Sequence, residues 1–379
     1  GEACMLGRTT TLLLLRRTTW GLSVRNMGTT DVRVVSYNVL SSSLCEPSYY
    51  TRCAPEDLDP ETRLQRIQDL IELETHQDSV ICLQEVSRTW VGPLHVFFAG
   101  RGYDFCSALY GSKFNDYMGV AVAWPRRKFE LVRHTQQRVA DALPEAPPKE
   151  DKQEPFYESF SKWLQKYFSM TRDKPPLDPW AESVRRFNVL VMAELRDIRT
   201  SSSFAVATYH MPCLFGSLEK EQVMYVHAAA AAKLTKDFAA GLPFVFAGDF
   251  NIKPHDPAYA MLTAATVPPM PSVDHVNLHD FFFSQNGALP LVSAYAAFGK
   301  EPEVTNFAFN KFQTEPFCDT LDYIFLGGTT TWKVLDVKPT PAKADLDLAH
   351  GSFPDPNQPS DHVPIAADLQ FEFVSSSSS

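Results

Sequence analysis

The sequence contains no apolar run approaching the roughly 18–20 residues that a membrane-crossing helix requires, so no spanning helix is expected. It also lacks an excess of positive charge: 35 Lys and Arg face 45 Asp and Glu, a net charge of −10 at pH 7. Tight non-specific binding to long duplexes depends on Lys and Arg neutralising phosphates. That class is therefore disfavoured, whereas a short single-stranded or small phosphorylated substrate is not. No Gly-x-x-x-x-Gly-Lys-[Ser/Thr] phosphate loop, no internal repeat and no leucine-rich docking module is present. The seven cysteines fall at irregular positions with no Cys-x-x-Cys pair. An odd count without framework spacing points to reduced thiols and an intracellular setting.

Four strand-like segments end in oxygen- or nitrogen-bearing side chains. Pro243–Ala247 is an apolar run that stops abruptly at Gly248-Asp249-Phe250-Asn251. Side chains spaced i, i+2 at a strand end project to the same side. Asp249 and Asn251 so placed would present a carboxylate and a carboxamide together to a hard cation or a reacting water. Val32–Asn38 ends at Asn38, Ser79–Glu85 at Gln84-Glu85, and Phe204–His210 at His210. The run Val80–Leu83 is continuously apolar, as in a strand covered on both faces. Two later segments complete the set: Asp322 opens the strand-like Asp322–Phe325, and Asp361-His362 precede another apolar run.

In order, Tyr37-Asn38, Gln84-Glu85, the strand ending in His210, Gly248-Asp249-Phe250-Asn251, Thr320–Phe325 and Ser360-Asp361-His362 resemble the endonuclease/exonuclease/phosphatase superfamily over about residues 31–374. The resemblance implies an α/β fold of four layers, the DNase I-like sandwich, with two mixed β-sheets packed face to face and flanked by helices. It implies hydrolysis of phosphate esters with Mg²⁺ or Mn²⁺. It also implies roles: Glu85 as principal metal ligand with Asn38 beside it, and Asp361 as a candidate second ligand. Asp249 would orient or deprotonate the attacking water. Asn251 would hold the phosphate or a second ion. His362, oriented by Asp322, would donate to developing phosphorane charge, and His210 to a non-bridging oxygen. Such a ligand set suits Mg²⁺, which takes hard oxygens from one or two carboxylates and keeps several waters.

Within the superfamily the sequence is most similar to the deadenylase-like branch of carbon-catabolite-repressor-type deadenylases, nocturnin, angel proteins and 2′-phosphodiesterases. The similarity lies in Ser36–Leu44, in Arg63 within Glu61–Ile67, in Asn115–Val122 ahead of a strand, and in Thr305-Asn306-Phe307. Asn306, Phe307 and Asn115 are accordingly candidate substrate contacts, with Phe307 or Phe317 as a base-stacking surface. Ala207–Cys213 departs from the Asn-Thr-His-Leu common in that branch. The expected activity is 3′–5′ exoribonuclease cleavage of single-stranded RNA. A phosphatase or phosphodiesterase of a small nucleotide (NADP, a 2′–5′ linked oligonucleotide) or an inositol phosphate is the alternative, and a DNA endonuclease the second.

Other groups carry less. His210, Met211 and Cys213 alternate faces on a strand and do not converge on one soft ion. Cys213 and Cys318 have no basic neighbour in sequence to activate them. The dispersed motifs predict one catalytic domain over 31–374 with an insertion over 140–186, in which Phe156–Met170 has helical apolar spacing. Residues 1–30 carry Arg8, Arg16, Arg17 and Arg25 with Glu2 as the only acid before Asp31, a composition resembling an organellar transit segment. The expected location is mitochondrial or another organelle if that segment directs import, and cytoplasmic otherwise. Residues 375–379 read as a disordered serine tail.

Overall fold

The computed structural model describes residues 29–144, 177–273, 277–283, 290–328 and 332–372. The Arg-rich start, the stretch Phe156–Met170 and the serine tail lie outside the described residues.

Alternation along the strands decides the architecture. In β1 (Thr29–Asn38) Val32 and Val34 face one side, and Val35 and Tyr37 the other. β2 (Val80–Val86) divides likewise between Val80 and Cys82 and the pair Ile81 and Leu83. With both faces apolar, each strand needs cover on both sides. β1 and β2 lie parallel, joined through α1 (Pro60–Thr75), and β3 (Tyr103–Leu109), β4 (Gly119–Pro125), β13 (Trp332–Val337) and β14 (Ile365–Glu372) complete a six-stranded mixed sheet in the order β13-β14-β1-β2-β4-β3. The second sheet is built the same way. β7 (Ser203–His210) and β8 (Phe244–Asp249) are its parallel pair, and the order is β5-β6-β7-β8-β12-β9, with β5 (Phe129–Arg138), β6 (Val189–Asp197), β9 (Val292–Ser293) and β12 (Asp322–Gly327).

The two sheets meet through Val32, Val34, Val80, Val122, Ile365 and Leu369 on one side and Val191, Phe204, Val206, Val245, Ala247 and Ile324 on the other. α1 and α2 (Arg88–Gly100) cover the outer face of the first sheet. α1 starts at Asp59, whose carboxylate accepts from the Thr62 N–H at 2.8 Å, with Pro60 in the first helical position. α4 (Leu218–Ala239) covers the second sheet with buried Ala228–Ala231, whose small side chains let the helix sit close to the strands. The result is the four-layered α/β sandwich expected from the sequence. Among the described residues no helix is long and apolar enough to cross a membrane.

Where α4 meets α3 (Pro179–Arg185), His227 is fully buried. Its Nε2 donates to the Ser183 carbonyl at 3.0 Å, and its Nδ1 accepts from the Tyr209 hydroxyl at 2.9 Å. Burial pushes its pKa down from 6.5 to about 4. The folded state thus prefers the neutral ring. Its contribution is complete above pH 6.5 and falls as the pH drops toward 4, by about 3 kcal/mol at the limit. Urea unfolding across that window is expected to show a shallower loss for His227→Gln than for the native chain. Equal slopes would remove His227 from the acid response.

Candidate active site

The interior of the sandwich changes character along its strands. Inward-facing positions run Val32, Val34, Ser36, Asn38 on β1 and Val80, Cys82, Gln84 on β2. Across from them they run Phe204, Val206, Thr208, His210 on β7 and Val245, Ala247, Asp249 on β8. Apolar packing gives way to a polar step and then to ionisable groups. At the polar step Gln84 Nε2 donates across the sheets to Thr208 Oγ1 at 2.9 Å and to Ser36 Oγ at 3.2 Å. This satisfies buried polar atoms that would otherwise be costly.

At the end of that gradient, register fixes the neighbours. His210 and Asp322 both stand opposite Asp249 on adjacent strands. Gly248 makes the register possible, because a Cβ there would come within 2.0 Å of the Tyr209 carbonyl oxygen. Asn38 reaches across from the first sheet. Its Nδ2 donates to Asp249 Oδ2 at 2.9 Å and to Glu85 Oε1 at 3.0 Å, while its Oδ1 accepts from the Leu40 N–H at 2.9 Å.

Glu85 reaches the site by breaking the strand pattern. Ile81 and Leu83 face the helices, so strict alternation would send Glu85 there too. Instead Glu85 takes a left-handed conformation at φ 58°, beside a register shift between β2 and β4. Such a conformation costs a non-glycine residue about 1–2 kcal/mol. The Ser41 N–H holds the redirected carboxylate at 3.0 Å.

Asp249 Oδ2 is the centre of the cluster. His210 Nε2 and His362 Nε2 each lie 3.6 Å from it. His362 Nδ1 donates to Asp322 Oδ2 at 2.7 Å, leaving Nε2 as its working end. Burial opposes charge on the His362 ring, but Asp322 and Asp249 outweigh it and hold the pKa well above the usual 6.5. His210 Nδ1 pairs with the Tyr110 hydroxyl at 2.8 Å, and Asn188 donates to the His210 carbonyl at 2.8 Å.

Glu85, Asp249, Asp322 and Asp361 are all buried. Among the described residues no Lys or Arg forms an ion pair with any of them; only His210 and His362 do so. Asp322 Oδ1 has no hydrogen-bond partner. Buried carboxylates so short of positive charge call for a cation. Ligand atoms of Glu85, His210 and Asp249 lie within 4.8 Å of one another, as do those of Asp249, Asp322 and His362. Hard carboxylate oxygens in this arrangement fit Mg²⁺ or Mn²⁺. Glu85 and Asp249 are the carboxylates placed to hold such an ion.

The remaining expected site residues are placed as follows. Asn251 follows the strand end in a left-handed turn at φ 50°, where its N–H donates to Asp249 Oδ1 and its Nδ2 to the Met211 carbonyl. It steadies Asp249 rather than extending the strand. Asp361 lies beside the cluster, and its Oδ2 accepts from the Tyr50 hydroxyl at 3.0 Å. Burial raises its pKa, with His362 pulling the other way. Asn306 forms an isolated bridge with His362. Asn115 turns its side chain into a cap on Ser112, so its carboxamide is spent on the loop, while its carbonyl accepts from Ser41 Oγ at 2.9 Å. Phe307 is 2% exposed and packs against Phe353 and Val363, so this candidate stacking ring is core, whereas the other, Phe317, is half-buried. Tyr110, Asn188 and Tyr50 lie outside the motifs and were not foreseen; only the three-dimensional contacts reveal them.

Arg63, singled out in the sequence within Glu61–Ile67, supports the site from beneath. It is fully buried and donates from Nε to the Pro359 carbonyl at 2.7 Å and from one terminal nitrogen to the Val39 and Leu40 carbonyls at 2.6 Å each. It ties the end of β1 to the loop carrying Asp361 and His362.

This arrangement of carboxylates and imidazoles at the ends of two facing sheets defines a phosphoesterase-type site. The chain belongs to the Endonuclease/Exonuclease/phosphatase family, whose pattern it matches over residues 35–362. It is 26% identical over 361 residues to mouse (Mus musculus) 2′,5′-phosphodiesterase 12, a match covering 90% of this chain and 52% of the relative. Nocturnin of Drosophila melanogaster is 24% identical over 342 residues, covering 90% and 47%. The chain thus spans about half the length of the curated relatives it matches. Among solved structures, ANGEL2, a 2′,3′-cyclic phosphatase, in complex with adenosine-2′,3′-vanadate superposes with a TM-score of 0.62 at 20% identity, over 91% of this chain and 97% of that one.

Proposed function

We propose that the protein is a divalent-metal-dependent phosphodiesterase that cleaves single-stranded oligoribonucleotides from their 3′ end. The observation that carries this reading is the convergence of Glu85, Asp249, Asp322, His210 and His362 with no Lys or Arg ion-paired to them among the described residues. Glu85 and Asp249 would hold a divalent ion, which would supply positive charge for phosphate oxygens and lower the pKa of a nearby water. The protein's own groups do the rest. The Asp249 carboxylate, steadied by Asn251 and Asn38, accepts a proton from water. The His362 imidazolium, fixed by Asp322, donates from Nε2 to a phosphoryl oxygen as charge builds there. His210 offers its Nε2 on the opposite side of Asp249.

The net charge of −10 and the absence of a basic phosphate-binding cluster near the motifs favour a single-stranded end over a duplex. The name of the mouse relative supports a second linkage, the 2′–5′ phosphodiester. The test is hydrolysis with Mg²⁺ of 5′-labelled oligoadenylates of either linkage, beside NADP. A ladder shortening from the 3′ end is the expected result, and the faster linkage assigns the substrate. Phosphate release from NADP with both oligomers intact would replace this reading with a small-nucleotide phosphatase.

A further inference from the structure

The expected stacker Phe307 is buried, yet the strand it belongs to leads outward to aromatic rings that are not. β10 (Asn306–Ala308) begins beside His362, where Asn306 bridges it and the Phe307 N–H donates to the Asp361 carbonyl at 2.9 Å. Beyond it the chain turns through Phe309–Gln313. That turn is ordered: the Asn310 N–H donates to Gln313 Oε1 at 2.9 Å, the Phe312 N–H to Asn310 Oδ1 at 3.0 Å, and the Lys311 N–H to the Tyr49 carbonyl at 3.0 Å. It holds Phe312 at 79% exposure. A phenylalanine held in water by a hydrogen-bonded turn forgoes the burial that aromatic rings otherwise gain.

From Phe312 the rings lead back to the cluster. Phe312 lies edge-on to Tyr49 at 6.2 Å, Tyr49 to Tyr50 at 5.1 Å, and the Tyr50 hydroxyl donates to Asp361 at 3.0 Å. Two cations flank this path. Arg52 lies over the Phe309 ring at 3.6 Å, and Lys311 reaches over Phe312 at 5.2 Å. Among the described residues neither is paired with a carboxylate, although acids outnumber bases in the chain.

We propose that Tyr49 and Phe312, with Arg52 and Lys311, form a subsite that stacks a nucleobase and neutralises a phosphate of a single-stranded ribonucleotide lying outside the cleaved bond. Aromatic faces take any base, and the cations take the backbone, so the subsite selects chain length rather than sequence. The inference rests on the phosphodiesterase reading above, which it makes specific for oligomers over mononucleotides.

The experiment uses the full chain with Mg²⁺ for turnover, and with Ca²⁺ for equilibrium binding of a labelled oligoadenylate by anisotropy. Phe312→Ala is expected to weaken binding and raise KM for the oligomer about ten-fold, the worth of one stacked base. Turnover of bis(p-nitrophenyl) phosphate and of an oligomer lacking bases at the outer positions is expected to stay unchanged, and Phe312→Trp to restore the native KM. Phe312 is exposed, so the variant is not expected to unfold. Equal binding and KM in the native chain and Phe312→Ala, with oligomer hydrolysis intact, would overturn the subsite and spare the activity. Phe312-dependent binding without hydrolysis would overturn the activity and keep the subsite. No binding and no hydrolysis would overturn both.

Discussion

Asp249→Asn is expected to lower kcat by at least about 10³-fold, within the range for loss of a positioned base. Its carboxylate is the one group contacted by Asn38 and approached by both imidazoles, at 3.6 Å each. An asparagine keeps one oxygen for the Asn251 N–H, so the loop geometry survives, but it sets its amide nitrogen against Asn38 Nδ2 and loses that bond. It relieves repulsion among buried carboxylates while removing partners of Asn38, His210 and His362, so the two effects oppose each other and the melting temperature is expected to change little. Loss of activity without loss of stability is the signature of a functional carboxylate. Retention of a tenth of native kcat, or a large fall in melting temperature, would show that Asp249 serves the fold instead.

Glu85→Gln is expected to abolish stabilisation by divalent ions. A ligand that binds only the folded chain, at a hundred times its dissociation constant, adds about 2.7 kcal/mol. In the native chain Mg²⁺ or Mn²⁺ is therefore expected to raise the melting temperature by several degrees. Glu85→Gln keeps an acceptor for one of Asn38 Nδ2 and the Ser41 N–H, which bond to different oxygens of Glu85, and loses the charge that holds the ion. Melting curves with and without Mg²⁺ read this without any substrate. A shift preserved in Glu85→Gln would move the ion to the Asp249, Asp322 and His362 group.

The strands ending at Asn38, Glu85, His210 and Asp249 were legible because their apolar runs are written residue by residue; the layers followed from the family resemblance, and the parallel pairing of β1 with β2 and of β7 with β8 is seen only in the structure. Val32-Val34-Ser36-Asn38 and Phe204-Val206-Thr208-His210 show the passage from packing to chemistry directly. The position of Glu85 was legible and its direction was not. Alternation alone turns it toward the helices, and only a left-handed residue beside a register shift returns it to the site. Asn251 misled in the opposite sense: the strand stops at Asp249, so i, i+2 spacing no longer places two side chains on one face. Phe307 and Phe312 were indistinguishable by type. One is buried and the other exposed because the chain passes beneath Phe353 before it turns outward. Tyr110 meets His210, and Tyr50 meets Asp361, across sequence separations of 100 and 311, which no local pattern records.

Asn38 joins Asp249, and His362 joins Asp322, from opposite halves of the sandwich. The catalytic geometry is therefore a vernier of how the halves are seated. A slip between them too small to disturb any backbone ladder would still part donor from acceptor, so on warming the enzyme should fall silent while its circular dichroism remains that of the native fold.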